Sequence, residues 1–231
     1  MKANRLFLLV LMSVLLIACS SKVKSPSEAN TVGKATLVIE KLDSLGFFRI
    51  TDKDKTEEAK TEMISAYNHQ HFFVGLTYSE SLTYVDHRFY HVDQEELFEL
   101  YGLPKYLKEV QTTFELLGLK LNVENDDNHE ESFKDNFWEH TITLNGKEYT
   151  AFKGEMDEDS WGIAMVNFAN MLNDQLRLQQ SEEQVYLLYN GNDGMLVFLT
   201  PAMFDLVEKH YPDNQDRPMT IERWKRYYGI E

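Results

Sequence analysis

The chain has one cysteine in 231 residues, Cys19. That count excludes an internal disulfide and any zinc site built on several thiolates. Phosphate-binding GxxxxGK and GxGxxG loops are missing, as are the HExxH helix and the GxSxG nucleophile turn. No apolar run reaches the roughly 20 residues of a membrane-spanning helix. Two stretches approach a calcium loop and fail. Glu57 stands where the loop from Asp52 needs glycine, and Trp161 and Phe168 replace oxygen ligands in the loop from Asp157. Basic residues are scarce: 23 Lys and Arg face 38 Asp and Glu, a net charge of −15. Such a chain repels phosphate backbones and anionic headgroups, so nucleic acid is not an expected partner.

What is present starts at the N-terminus. Lys2 and Arg5 precede an apolar run from Leu6 to Ala18, broken only by Ser13 and closed by Leu16-Ile17-Ala18-Cys19. A positive start, a short apolar core and a small residue before the cut describe a secretory signal peptide. The last four residues resemble the lipobox of bacterial lipoproteins. The resemblance implies cleavage between Ala18 and Cys19, a diacylglycerol on the Cys19 sulfur and usually an acyl chain on the new amine. It therefore implies a cell-envelope location with a lipid anchor. Ser20 is not the aspartate associated with inner-membrane retention, which favours the outer membrane if the source has one. One acyl chain holds a protein marginally, whereas two or three hold it stably. With Cys19 lipidated, no thiol is left as a nucleophile, and the mature side chains are 21 basic against 38 acidic, or −17. The likeness covers residues 1–19 and carries nothing about the body.

Composition and pattern divide the chain into a signal peptide (1–18), a lipidated flexible tether (19–34) and a body (35–231), with a possible subdivision near residue 118. The hydrophobic fraction of 43% with 13% aromatics is enough for a core without disulfides. Ala35, Val38, Leu42 and Leu45 share a helical face, and Asp54 with Glu57 resembles a capping box for a helix to about Asn68. His71–Tyr78 and Thr83–Val92 have strand composition. Asp93 with Glu96 opens a helix that Gly102 should end, and Pro104 then starts another that stops at Gly118. Leu119–Val123 alternates like a strand. Glu139–Leu144 and Lys147–Phe152 flank Asn145-Gly146, a strong hairpin signal. Ser160 should cap a helix to about Leu178. Val185–Tyr189 and Met195–Leu199 form a second hairpin, and Thr200-Pro201 and Thr220 open two more helices. The expected fold class is α+β: an antiparallel sheet built from hairpins with packed helices, its N-terminal part more helical.

Candidate chemistry rests on histidines. His69 and His71 lie two apart, and His87 and His91 four apart. On extended strands both spacings put the rings on one face, and paired strands would gather four imidazoles fit for zinc, copper or nickel. Asp86 and Asp93 could instead hydrogen-bond these histidines. Residues 121–160 hold twelve acids against three bases, in the clusters Asp126-Asp127, Glu130-Glu131 and Glu155 to Asp159. These read as solvated loops, or as a face that docks a basic protein. Arg223, Lys225 and Arg226 surround Trp224, Tyr227 and Tyr228, with Ile221, Trp224 and Tyr228 expected to pack inward. No catalytic residue or cofactor is assigned. The reading is a binding module of unknown partner, with an envelope hydrolase using carboxylates or a His-bound metal as the alternative. A hydrolase requires a cleft where histidines or carboxylates converge with shifted pKa values.

Overall fold

The computed structural model describes residues 26–67, 71–72, 75, 84–99, 101–127, 133–134, 136–211 and 217–230. The order is α1 (Pro26–Ser44), a 3-10 turn (Phe47–Ile50), α2 (Thr56–Tyr67), β1 (Phe89–His91), α3 (Gln94–Phe98) and α4 (Gly102–Leu116). Then follow β2 (Val123–Asp127), β3 (Phe133–Lys134), β4 (Phe137–Leu144), β5 (Lys147–Glu155), α5 (Ser160–Leu178), β6 (Gln184–Leu188), β7 (Met195–Leu199), α6 (Pro201–His210) and α7 (Ile221–Tyr228). The fold is α+β with antiparallel pairing throughout, as the pattern implies, but the strands form two sheets rather than one. One is ordered β1-β7-β6. In the other, β4 pairs β5 along one edge and β2 and β3 along the other.

The three-stranded sheet is the centre of the molecule. Its strands β6 and β7 are buried along nearly their whole length, and their successive side chains serve different cores. Val185, Leu187, Leu196 and Phe198 join α3, α4, β4, β5, α5 and Trp224 of α7 in one core. Tyr186, Leu188, Met195, Val197 and Leu199 join α1, the 3-10 turn, α2, Phe89 and α6 in the other. This explains the unbroken apolar composition of Val185–Leu188 and Met195–Leu199, since a strand covered on both faces has no polar side. Phe114 and Leu121, on either side of residue 118, belong to the same core.

Local signals set many element ends. Asn145 and Gly146 both take positive φ, 49° and 78°, as a two-residue hairpin turn between β4 and β5 requires. Thr200 Oγ1 accepts from Met203 N with Pro201 in the first turn of α6, and Thr220 Oγ1 accepts from Arg223 N at the start of α7. Asp93 Oδ1 accepts from both Glu95 N and Glu96 N at the start of α3. Other expectations are corrected. The tether reading to residue 34 overlaps α1, which starts at Pro26, because the stripe of Ala35, Val38, Ile39 and Leu42 packs the helix and its turns extend backward. Gly102 begins α4 instead of ending α3, and that placement brings two backbones together. The strand expected at Leu119–Val123 lies at Val123–Asp127, where pairing to β4 overrides side-chain alternation. Among the described residues of the expected strand 83–92, only Phe89–His91 pairs with β7. The strand expected at His71–Tyr78 falls mostly outside the described residues, and His71, Phe72 and Gly75 have no strand pairing.

A buried charge cluster ties the N-terminal helices to the sheet. Arg88 is fully buried. Its Nη1 donates to Glu183 Oε2 at 2.9 Å and to the Phe198 carbonyl at 2.8 Å. Its Nε donates to the Phe47 carbonyl and its Nη2 to the Gly46 carbonyl. Glu183 takes a second guanidinium, Arg49, at 2.8 Å. Asp86, also fully buried, accepts from Arg88 N and Thr51 Oγ1, both at 2.9 Å. Burial pushes its carboxyl above the ordinary range while Arg88 pulls it back.

Candidate functional site

A partly open cleft of about 560 Å³ lies beside β1, α3 and α4. Its lining combines Tyr84, Phe89, Tyr90 and Tyr106 with His87, His91, Asp93, Glu96, Lys105 and Glu109. β1 supplies one wall because it is the edge strand of the central sheet, with β7 on its other side. α4 supplies the opposite wall through Lys105, Glu109 and Thr112, spaced four and three apart and so on one helical stripe. The same helix buries Leu103, Leu107, Val110 and Phe114 on its other side. One helix thus faces both core and cleft.

The polar groups form two sets of hydrogen bonds. In the first, the Tyr106 hydroxyl accepts from Asp93 N at 3.1 Å and donates to Glu96 Oε2 at 2.6 Å. Lys105 Nζ reaches both oxygens of Glu96, at 2.6 and 2.7 Å, and lies 5.0 Å from the centre of the Tyr106 ring. The Lys105 ammonium and the Tyr106 hydroxyl together hold the Glu96 carboxyl below its usual range. In the second, Thr113 Oγ1 gives its single proton to the His87 carbonyl, so the Tyr90 hydroxyl donates to Thr113 Oγ1 at 2.7 Å. Burial raises Tyr84, Tyr90 and Tyr106, which therefore stay protonated at neutral pH.

Glu109 behaves oppositely to Glu96. It is exposed as a residue, yet partial desolvation of its carboxyl raises its pKa, with Lys105 and His91 opposing and Glu96 reinforcing the rise. The cleft therefore holds two carboxyl groups whose surroundings push their pKa values in opposite directions.

Two of the four histidines come together. His87 and His91 line one cleft, but only His91 is on a strand; His87 sits in the turn before β1. His87 Nε2 faces Asp52 Oδ1 at 3.3 Å rather than Asp86. His71 is exposed and outside the cleft lining, and His69 lies outside the described residues. Among the described residues no group of three or more His, Cys, Asp and Glu is placed to hold a metal. Cys19 and Ala18 also lie outside the described residues.

The acidic clusters serve other ends. Asp126 and Asp127 belong to β2, not to a loop, and Asp126 Oδ1 lies 2.6 Å from Nε2 of the buried His140. Asp157 accepts from Asp159 N and Ser160 Oγ and so shapes the entry to α5. Glu130 and Glu131 lie outside the described residues. The glycine turn before β7 is explained by packing, since a Cβ on Gly194 would stand 2.4 Å from the Val92 carbonyl oxygen. At the C-terminus Trp224 is fully buried with Nε1 donating to the Tyr189 carbonyl at 2.7 Å, Ile221 and Tyr228 pack on the same core, and Arg223 pairs with Glu208.

Sequence reasoning singled out His87 and His91 and missed Tyr90, Tyr106, Glu96, Lys105 and Glu109 as cleft residues. One signal was available: a polar stripe at 105, 109 and 112 on a helix that buries Leu103, Leu107, Val110 and Phe114 on another face. No protein-family model, curated protein or solved structure matches this chain.

Proposed function

We propose that the chain is a lipid-anchored envelope protein, held to a bilayer by acyl chains on Cys19, whose α+β body is a binding module with the cleft between β1 and α4 as its site. The observation that carries the binding reading is the cleft itself, a cavity of small-molecule size with aromatic walls and a few fixed polar groups. The anchor rests on the Leu16–Cys19 pattern. Among the described residues no helix is long and apolar enough to cross a membrane. Ser20 after the lipidated cysteine favours the outer membrane if the source has one, and the acidic body suits a basic partner.

Cys19→Ser protein is expected to carry no lipid by intact-mass analysis and to move from the membrane fraction to the soluble envelope fraction. Wild-type protein without lipid at Cys19 would end the anchor reading and leave the cleft untouched.

A second reading is a hydrolase. In one cleft Lys105 and Tyr106 lower the carboxyl of Glu96 while desolvation raises that of Glu109, the divergence of a carboxyl pair that a hydrolase would use for acid–base work. One experiment separates the two readings. Isotope-labelled protein is titrated with small-molecule extract from the envelope, following resonances of Tyr90, His91, Tyr106 and Glu109. A binding module shifts these resonances and returns its ligand unchanged. A hydrolase converts the ligand, and Glu109→Gln abolishes the conversion. Shifts absent from the cleft would eliminate it as the site.

A further inference from the structure

Resting on the binding-module reading, we infer that the cleft takes an organic cation, a primary ammonium group carried by a free diamine or by a lysine side chain of a partner protein. Three carboxylates line the cleft, and two are engaged: Asp93 caps α3, and Glu96 is held by Lys105 and Tyr106. Among the described residues Glu109 has no hydrogen-bond donor or ion-pair contact of its own, so it is the carboxylate left to meet a ligand. The rings of Tyr84, Tyr90 and Tyr106 line the same space, and aromatic faces attract ammonium groups within about 6 Å.

The protein already displays this recognition on itself. Lys105 sets its ammonium against a carboxylate while lying 5.0 Å from the Tyr106 ring centre. A second ammonium at Glu109 would meet the same pairing of carboxylate and tyrosine. An anionic ligand fits worse, because Lys105 and His87 already face Glu96 and Asp52. A metal ion is also disfavoured, for want of three convergent ligands among the described residues. The net charge of −15 draws cations toward the body and repels anions. A volume of about 560 Å³ admits a diamine or one extended side chain.

The test uses the full mature chain in detergent micelles, by calorimetry and by resonance shifts at Tyr90 and His91. The probes are cadaverine, Nα-acetyl-lysine methylamide, glutarate and 1,5-pentanediol. The expected result is binding of one or both ammonium probes, weakened about tenfold or more by Glu109→Gln, the loss of one charged hydrogen bond. Glu158→Gln, which removes the same charge outside the cleft lining, leaves the affinity unchanged. Cadaverine alone binding assigns a free diamine; the lysine amide alone assigns a partner's side chain. Glutarate or pentanediol binding as tightly as the ammonium probes overturns the cation inference, and so does unchanged affinity in Glu109→Gln. In both cases the cleft remains a binding site. No shift with any probe also overturns the inference, and the binding-module reading is then decided by the extract titration.

Discussion

Arg88→Met is expected to lower the unfolding free energy by about 3–5 kcal/mol, the usual cost of stripping a buried charge pair of one member. The loss has two sources. Glu183, whose side chain has no exposure, would keep only the half-exposed Arg49 as its counter-charge, and Asp86 would lose its neighbouring guanidinium. The carbonyls of Gly46, Phe47 and Phe198 would each lose a side-chain donor inside the protein. Urea unfolding measures the effect as a fall in midpoint with little change in slope. Arg88→Met combined with Glu183→Leu should recover only part of the loss, since the second change removes the stranded carboxylate but not the orphaned carbonyls. A single-variant loss below about 1 kcal/mol would show that the cluster is loosely held and solvated, contrary to the geometry.

Gly102→Ala should destabilise the protein by about 3 kcal/mol, the upper end for forcing extra volume into a packed site. A Cβ at this position would stand 1.6 Å from the Glu96 carbonyl oxygen and 2.6 Å from its carbon. Both are backbone atoms, so no side chain can swing away. The first turn of α4 would retreat from α3 by about 1.4 Å just to reach the shortest separation that Cβ atoms show. The same displacement pulls Lys105 and Tyr106 away from Glu96, so the cleft should lose ligand affinity beyond the loss of stability. Gly33→Ala is the control. It lies in α1 with nothing within 4 Å of its Cβ, and should stabilise by about 0.5–1 kcal/mol through helix propensity. Thermal melts of the two variants should move in opposite directions. Equal melting temperatures for Gly102→Ala and wild type would refute the close approach.

Part of the cleft was legible beforehand. His87 and His91 are close in sequence, so a short spacing rule placed them together. It did so for an incomplete reason, because His91 lies on the strand Phe89–His91 whereas His87 sits in the turn before it. Glu96 and Lys105 sit on two different helices, and the turn between them bends at Tyr101, whose φ is 68°. Nothing in the residue types announces that bend, since an exposed tyrosine ordinarily avoids that conformation. The Gly102 reading failed for a related reason. Glycine after an apolar stretch usually ends a helix, whereas here it is required by a neighbouring carbonyl that only the fold brings near.

The residues by themselves determined what forms within a few positions of the chain: the Asn145-Gly146 turn, the caps at Asp93, Thr200 and Thr220, and the apolar stripes of the helices. Those features obey short-range sterics and hydrogen bonding, so their signals are written side by side. The tertiary structure decided the rest. It split the strands into two sheets, buried one of them between two cores, and closed a cleft from a strand edge and a helix stripe. Arg88 finds its partners 41, 42, 95 and 110 residues away, separations at which pairing depends on which surfaces the cores bring together. Burial over those distances is non-directional and summed over many side chains, so no local pattern encodes where it will place a charge.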